Sequence, residues 1–264
     1  MAAQLGADFV GIIFAESPRK VGIPEARAMV RELGPSLDSF ELELPPPKRS
    51  DSKRVTDLEL WYRYGAERIE SYLGYKRPLV VGVFADQSAD EINNTVEETG
   101  IDLVQLSGNE SWDFSLLVNR QVIQVLHIHP EDDASDPLVD VPVGRSLALM
   151  LDAKSEKSAG GTGKQIPLDI AERTANRIPL ILAGGLTPGN IRDVVQKVKP
   201  WAVDVSSGTE TNGVKDYKKV ASFIENTKGK LSRAGERAWL SQRLSRPLGL
   251  DILEASAVSM YQRH

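Results

Sequence analysis

Residues 182–188 of the chain read Leu-Ala-Gly-Gly-Leu-Thr-Pro, and residues 203–208 read Val-Asp-Val-Ser-Ser-Gly. In both stretches an apolar run ends in small residues and a helical pattern follows. The apolar runs are typical of buried strands, and glycine lets the backbone approach a ligand without a Cβ in the way. Pro188 suits the first turn of the helix that follows. We name the two turns the glycine corner (residues 184–185) and the serine corner (residues 206–208).

Turns of this kind at the carboxyl ends of two neighbouring parallel strands direct backbone N–H groups at one place. The last two strands of a (β/α)8 barrel build a phosphate site in this way. A third turn, Gly-Gly-Thr-Gly-Lys at residues 160–164, can close the site; it lacks the spacing of a P-loop and the Ser or Thr after the lysine. The residues that we predict to bind phosphate are Gly160, Gly161, Gly163, Gly184, Gly185, Ser206, Ser207 and Gly208.

The rest of the chain repeats the alternation of strand and helix. The seven apolar runs that predict strands lie near residues 9–14, 79–84, 103–106, 122–127, 147–151, 179–183 and 202–205. Helical patterns separate most of them, which is typical of parallel βαβ units. The predicted fold class is therefore α/β, a (β/α)8 TIM barrel. Because residues 1–5 resemble the end of a helix, we expect an N-terminally truncated barrel with seven of its eight strands.

Two segments fall outside this repeat. Residues 34–78 are acidic, then proline-rich, then basic, and we expect them to form a long surface insertion. Within them, residues 57–73 predict an amphipathic helix. The chain becomes basic after about residue 230, and residues 250–257 predict a last helix. We therefore expect one barrel domain over residues 1–230 and an appended tail over residues 231–264.

The composition excludes several classes of function. The chain has 264 residues, a net charge of −5 and no cysteine, which rules out disulfides, thiolate metal sites and a cysteine nucleophile. The acidic balance argues against a nucleic-acid partner, and no apolar run approaches the ~18–20 residues of a membrane span. His127 and His129 have no carboxylate or cysteine at ligand spacing, so no metal site is expected. Without a signal-peptide pattern, we expect a cytoplasmic protein with no membrane partner.

In their order and spacing, these motifs resemble the phosphoribosylanthranilate isomerase family of tryptophan biosynthesis, which has a (β/α)8 fold. The matching stretches besides the two corners are residues 6–14, Ser17-Pro18-Arg19, Val81-Gly82-Val83-Phe84, Val104-Gln105-Leu106, Leu151-Asp152, residues 160–163 and Gly213-Val214-Lys215-Asp216. The long insertion and Glu110-Ser111-Trp112 resemble the fungal members, in which this domain often ends a multifunctional polypeptide. The resemblance therefore implies fused indole-glycerol-phosphate synthase and glutamine amidotransferase domains as partners.

The resemblance also implies a reaction and the residues that perform it. The family carries out the Amadori rearrangement of N-(5-phosphoribosyl)anthranilate to carboxyphenylamino-deoxyribulose phosphate, without a metal or organic cofactor. Asp152 matches the acid that protonates the ring oxygen of this phosphosugar substrate. Arg19 matches the residue that engages the anthranilate carboxylate, a pairing suited to a guanidinium. Asp204 matches a binder of a substrate hydroxyl, and the two corners match the phosphate site.

Two departures from the family pattern bear on activity. The family's base is a cysteine in a Lys-x-Cys-Gly strand, and this chain contains no cysteine. The family usually has a histidine after Val-Gln-Leu, and in this chain that position is Ser107. We expect Ser107 to contact the substrate through one hydrogen bond, but its hydroxyl carries no charge. We therefore expect weak or absent turnover. Two alternatives stay open: a non-catalytic phosphosugar-binding or structural remnant of a multifunctional protein, and another phosphate-binding barrel such as a different sugar-phosphate isomerase or synthase.

Overall fold

Eight strands form a closed barrel in a computed structural model that describes residues 1–42, 58–128, 136–153, 168–228 and 258–263. A short hairpin of two further strands lies outside the barrel wall. The strands are β1 (Phe9–Ile13), β2 (Leu79–Phe84), β3 (Leu103–Leu106), β4 (Gln121–Ile128), β5 (Ala148–Ala153), β6 (Leu180–Ala183), β7 (Ala202–Val205), the hairpin strands β8 (Glu210–Thr211) and β9 (Val214–Lys215), and β10 (Val258–Arg263). The helices are α1 (Ile23–Glu32), α2 (Leu58–Tyr75), α3 (Ala89–Thr99), α4 (Leu168–Ala175), α5 (Ile191–Val198) and α6 (Tyr217–Lys228).

The seven strands β1 to β7 are parallel and pair in chain order, which confirms the predicted α/β barrel class. Each lies within two residues of its predicted position. The strands are apolar on both faces because one face lines the barrel interior and the other packs against the surrounding helices. The core therefore consists of an inner layer within the barrel and outer layers under the helices. Within the described ranges, no helix is both long and apolar enough to cross a membrane.

The strand β10 closes the barrel between β7 and β1. It runs antiparallel to both, with Gly11 opposite Ser259 and Asp204 opposite Tyr261. A (β/α)8 barrel normally has eight parallel strands, so the eighth position here is filled in the reverse direction. Without β10, β1 and β7 would each expose an unpaired edge. Pairing with β10 gives the backbone N–H and C=O groups of these edges hydrogen-bond partners. The end of the segment predicted as an appended tail is thus part of the barrel wall, whereas the helix predicted at 250–257 lies outside the described residues.

The helix α2, from the predicted insertion, covers the amino-terminal end of the barrel. Ile69, Tyr72 and Leu73 belong to the same apolar cluster as Phe9 and Leu79, which face the barrel interior near the starts of β1 and β2. Burial of these side chains stabilises the helix on the barrel, because each removes apolar surface from water. The helix itself confirms the amphipathic pattern read from the sequence.

Contacts with the chain just before β5 fix the first half of α2. Trp61 Nε1 donates a hydrogen bond of 2.7 Å to the carbonyl oxygen of Ser146, and the hydroxyl of Tyr62 lies 2.9 Å from Ser146 Oγ. Gly65 packs so closely that a Cβ on it would lie 1.9 Å from the carbonyl oxygen of Leu147. The described part of the insertion therefore differs from the expected surface excursion: the apolar face of α2 is buried and closes the amino end of the barrel.

Candidate active site

The carboxyl ends of β1 to β7 meet at the end of the barrel opposite α2, and we call this end the mouth. Neighbouring strands place His127 beside Asp152 and Asp152 beside Ala183. A cavity of about 190 Å³ opens at the mouth. Both corners line it, together with Gln105, Asp152 and Asp204. The structure thus brings two predicted carboxylates and two predicted phosphate turns to one opening.

The glycine corner adopts a backbone conformation that favours glycine. The φ angles of Gly184 and Gly185 are 94° and 61°, in the left-handed region where a Cβ causes strain. The side chain of Asn190 closes the turn, because its Oδ1 accepts from the N–H of Thr187 at 2.8 Å and its Nδ2 donates to the Gly185 carbonyl at 2.9 Å. The helix that follows begins at Ile191, so the expectation that Pro188 lies in its first turn was wrong.

The serine corner packs directly on the glycine corner. A Cβ on Gly208 would lie 1.8 Å from the carbonyl oxygen of Leu186, so only glycine allows this approach. Ser206 is half-buried and Ser207 is exposed. The close contact places the two turns side by side at the ends of β6 and β7, as the phosphate prediction requires.

Arg19 reaches the serine corner from the loop after β1. Its Nη1 donates to Ser206 Oγ and lies 3.4 Å from Glu210 Oε1. The guanidinium is about one-third exposed, while Glu210 is largely buried. Glu210 thus orients Arg19 beside a predicted phosphate-binding residue.

Lys215, on the hairpin strand β9, supports the same corner from beneath. Its Nζ donates to the carbonyl oxygen of Ser206 at 2.6 Å and lies 3.4 Å from Glu210 Oε1. Burial lowers the pKa of Lys215 below its usual value, although the carboxylates of Glu210 and Asp204 partly oppose the shift. Two cationic side chains therefore hold Ser206, one through its hydroxyl and one through its main chain.

The two carboxylates of the cavity differ in exposure. Asp204 is buried on β7, whereas the side chain of Asp152 is 33% exposed at the end of β5. Asp152 Oδ2 lies 3.7 Å from His127 Nδ1. Both carboxylates line the cavity, and Asp152 is the more exposed of the two.

Ser107 lies just above the cavity rather than in its lining. Its Oγ accepts a hydrogen bond of 2.8 Å from Nε2 of Gln105, which does line the cavity. Its carbonyl oxygen lies 2.8 Å from His127 Nε2. The glycines of the predicted third turn, Gly160, Gly161 and Gly163, lie outside the described residues, so their contribution stays a prediction.

A larger depression, of about 660 Å³, lies on the outside of the barrel. Asp90 and Asn93 of α3 line it, together with Asp38 and Arg120. Arg120 lies just before the amino end of β4, and none of the predicted site residues belongs to this depression. We therefore place the candidate site at the mouth, where the polar groups converge.

The family model for N-(5'-phosphoribosyl)anthranilate (PRA) isomerase matches residues 54–226. The chain belongs to this family. It is similar to a multifunctional tryptophan biosynthesis protein of Phycomyces blakesleeanus, with 39% identity over 248 residues that cover 86% of this chain and 31% of that protein. It is also similar to an N-(5'-phosphoribosyl)anthranilate isomerase of Dehalococcoides mccartyi, with 33% identity over 231 residues and coverage of 86% and 88%.

The fold comparison agrees with this assignment. The crystal structure of phosphoribosyl anthranilate isomerase from Thermotoga maritima superposes with a TM-score of 0.62 at 27% identity, and the match covers 86% of this chain and 91% of that one. The chain spans about a third of the Phycomyces protein but most of the Dehalococcoides protein. A domain of the PRA isomerase family thus occurs both within longer polypeptides and in a protein of about its own length.

Sequence reasoning missed three residues of this candidate site. Glu210 and Lys215 hold the serine corner, and His127 lies beside Asp152. Lys215 stood in a matching motif, and His127 ends the predicted strand 122–127, next to the predicted strand that Asp152 follows, so both carried a positional signal. Among the described residues, no group of three or more His, Asp or Glu side chains is placed to hold a metal ion.

Proposed function

We propose that the mouth binds N-(5'-phosphoribosyl)anthranilate and that this chain serves the PRA isomerase step of tryptophan biosynthesis. One observation carries the proposal: a single cavity is lined by both corners, Asp152 and Asp204. The phosphate lies on the glycine and serine corners, where main-chain N–H groups at strand ends favour an anion. The ribose then extends from this site across the mouth.

Arg19 binds the anthranilate carboxylate in this proposal. Its guanidinium already lies at the mouth, oriented by Glu210 and Ser206. A guanidinium has five N–H donors, so it can receive a carboxylate while it keeps a contact with Glu210. Asp204, buried in the wall beside the serine corner, accepts a hydrogen bond from a ribose hydroxyl.

Asp152 acts as the acid. Its carboxyl donates a proton to the furanose ring oxygen as the bond between that oxygen and C1 breaks, which opens the ring to an iminium. Removal of the proton at C2 then gives the enolamine and, after proton return, the ketose amine. Both steps are proton transfers that side chains can perform, so no cofactor enters the proposal.

The base step is where this chain departs from the family pattern. No cysteine is present anywhere in the sequence, and the described barrel has β10 between β7 and β1. We therefore propose that the chain binds the substrate but turns it over far more slowly than its relatives. The absence of cysteine also favours a second candidate function, a non-catalytic phosphosugar-binding domain of a multifunctional protein.

The second candidate connects this chain to fused partners. The Phycomyces relative is a multifunctional tryptophan biosynthesis protein of which this chain matches 31%. We propose that this domain works beside indole-glycerol-phosphate synthase and glutamine amidotransferase domains. When the domains share one polypeptide, the product of one active site diffuses only a short distance to the next.

Two measurements test the proposal. Titration calorimetry with the reduced product, a stable analogue that carries both the phosphate and the anthranilate carboxylate, should show one site per chain. Asp204→Asn and Arg19→Met should weaken binding, whereas Asp169→Asn, an exposed change on α4, should not. A steady-state isomerase assay then separates the two candidates: measurable turnover that Asp152→Asn abolishes favours the enzyme, and binding without turnover favours the binding domain. Failure to bind the analogue would overturn both.

A further inference from the structure

His127 and Asp152 form a pair at the mouth that the family reaction alone does not explain. The two residues are register partners on the parallel strands β4 and β5, so their side chains project to the same side of the sheet. His127 Nδ1 lies 3.7 Å from Asp152 Oδ2, and the side chains are 21% and 33% exposed. The imidazole therefore lies next to the proposed acid, partly shielded from water.

The hydrogen bond at the other ring nitrogen decides which nitrogen carries the proton. His127 Nε2 lies 2.8 Å from the carbonyl oxygen of Ser107, and a carbonyl oxygen can only accept. Nε2 must therefore hold a hydrogen in every protonation state. In the neutral ring the lone pair is then on Nδ1, on the side that faces Asp152.

His127 Nδ1 is buried, and it has no hydrogen-bond partner among the described residues. Such a buried polar atom is costly unless a partner reaches it. The separation of 3.7 Å exceeds a hydrogen bond by about 0.8 Å, a gap that a side-chain rotation of Asp152 can close. Gln105 of β3 and Ser107 just after it are uncharged, so within the described part of the chain Asp152 is the charged group at ion-pair distance from the ring.

We propose that His127 is a positioning residue that shares a proton with Asp152 and holds the Asp152 carboxyl toward the substrate. With one proton in the pair, the proton lies between Nδ1 and Oδ2. When the ring oxygen of the substrate takes that proton from Asp152, a carboxylate and a neutral imidazole remain, and the Nε2–H bond to Ser107 is undisturbed. Solvent then restores the proton. The catalytic part of this inference rests on the proposed function, whereas the pairing itself does not.

The experiment measures the pairing in the ligand-free chain. Long-range ¹H–¹⁵N NMR spectra of the imidazoles, recorded from pH 5 to 9, report the tautomer and the titration of each of the three histidines. His127→Gln identifies the signals of His127. We expect the neutral ring of His127 to carry its proton on Nε2, and Ser107→Ala to leave this unchanged because the carbonyl oxygen remains.

Two matched variants test the coupling. Asp152→Asn should shift the Nδ1 resonance of His127, because the variant removes the carboxylate that lies 3.7 Å from this nitrogen. Asp204→Asn removes the other carboxylate of the same cavity. Because Asp204 lies three strands from His127, this variant should shift the His127 resonance much less. An Nδ1–H tautomer in the unaltered chain would overturn the proposal, as would equal shifts in the two variants. The tautomer is measured in the unaltered chain, so this test does not depend on the folding of a variant. Binding of the analogue tests the proposed function separately.

Discussion

Gly208 lies so close to Leu186 that a Cβ on Gly208 would be 1.8 Å from the Leu186 carbonyl oxygen. The turn after β7 therefore rests on the turn after β6, and the spacing of the two corners depends on a residue without a side chain. Because the two turns follow neighbouring predicted strands, the sequence predicts that they lie near each other. The direct contact between them is a property of the folded barrel.

Gly208→Ala tests whether this contact sets the phosphate site. The added methyl group must push the corners apart, and each lost hydrogen bond to the charged phosphate costs about 1.5–3 kcal/mol, which is about ten- to a hundredfold in Kd. We expect the Kd of the reduced product analogue to rise by that factor in titration calorimetry. Gly189→Ala is the matched control, because its nearest neighbour would be Thr187 Oγ1 at 3.7 Å. Equal binding by the two variants would contradict the idea.

Removal of residues 258–264 tests the closure of the barrel by β10. Without β10, the facing edges of β1 and β7 lose their partners, and unpaired edges open to solvent more often. Hydrogen exchange followed by mass spectrometry should show faster exchange of the β1 and β7 amides in the shortened chain. The pairing of β4 with β5 does not involve β10, so these strands are the internal control. Unchanged exchange in β1 and β7 would show that β10 does not pair there in solution.

Gly65 and Gly74 provide a matched pair of substitutions in α2. Alanine favours a helix over glycine by about 0.5–1 kcal/mol. A Cβ on Gly74 would have no atom within 4 Å apart from its chain neighbours and its own helix backbone, so Gly74→Ala should stabilise the chain by that amount. Gly65→Ala places its Cβ 1.9 Å from the Leu147 carbonyl and should destabilise by about 1–3 kcal/mol. Urea unfolding measures both free energies. If Gly65→Ala is as stabilising as Gly74→Ala, α2 does not pack against the barrel end.

The buried ion pair between Lys76 and Asp102 should be costly to break. Lys76 Nζ lies 2.6 Å from Asp102 Oδ2, and both side chains are at most 3% exposed. Asp102 also accepts from the N–H groups of Leu37 and Val80 at 2.9 and 2.7 Å. Asp102→Ala leaves a buried cation and two amide groups without this partner, so we expect a loss of about 3–5 kcal/mol in the free energy of unfolding.

The control for this pair is Asp169→Ala, which breaks an exposed contact with Lys197 at 2.7 Å. Exposed pairs contribute little because water and salt screen them. The urea midpoint of this variant should equal that of the unaltered chain within error. A similar loss in both variants would mean that burial does not govern the strength of these pairs.

The strands were predictable because their signal is local. The runs at residues 79–84 and 103–106 coincide with β2 and β3, since strands buried on both faces are apolar without alternation. The positions of Asp152, Asp204 and the two corners followed from the same rule, because the carboxyl ends of parallel strands meet at one end of a barrel. The contact of Arg19 with Ser206 joins residues 187 positions apart, and no local pattern predicts it.

The sequence by itself determined the alternation of strands and helices, the composition of the two corners and the absence of cysteine. These properties depend on residue type and on short-range periodicity, which a single chain displays in full. Only the tertiary structure decided that α2 closes the amino end, that β10 enters the wall in the reverse direction, and that His127 lies beside Asp152. These relationships arise from the burial of apolar surface and the pairing of strand edges between distant segments, which depend on the packing of the whole barrel.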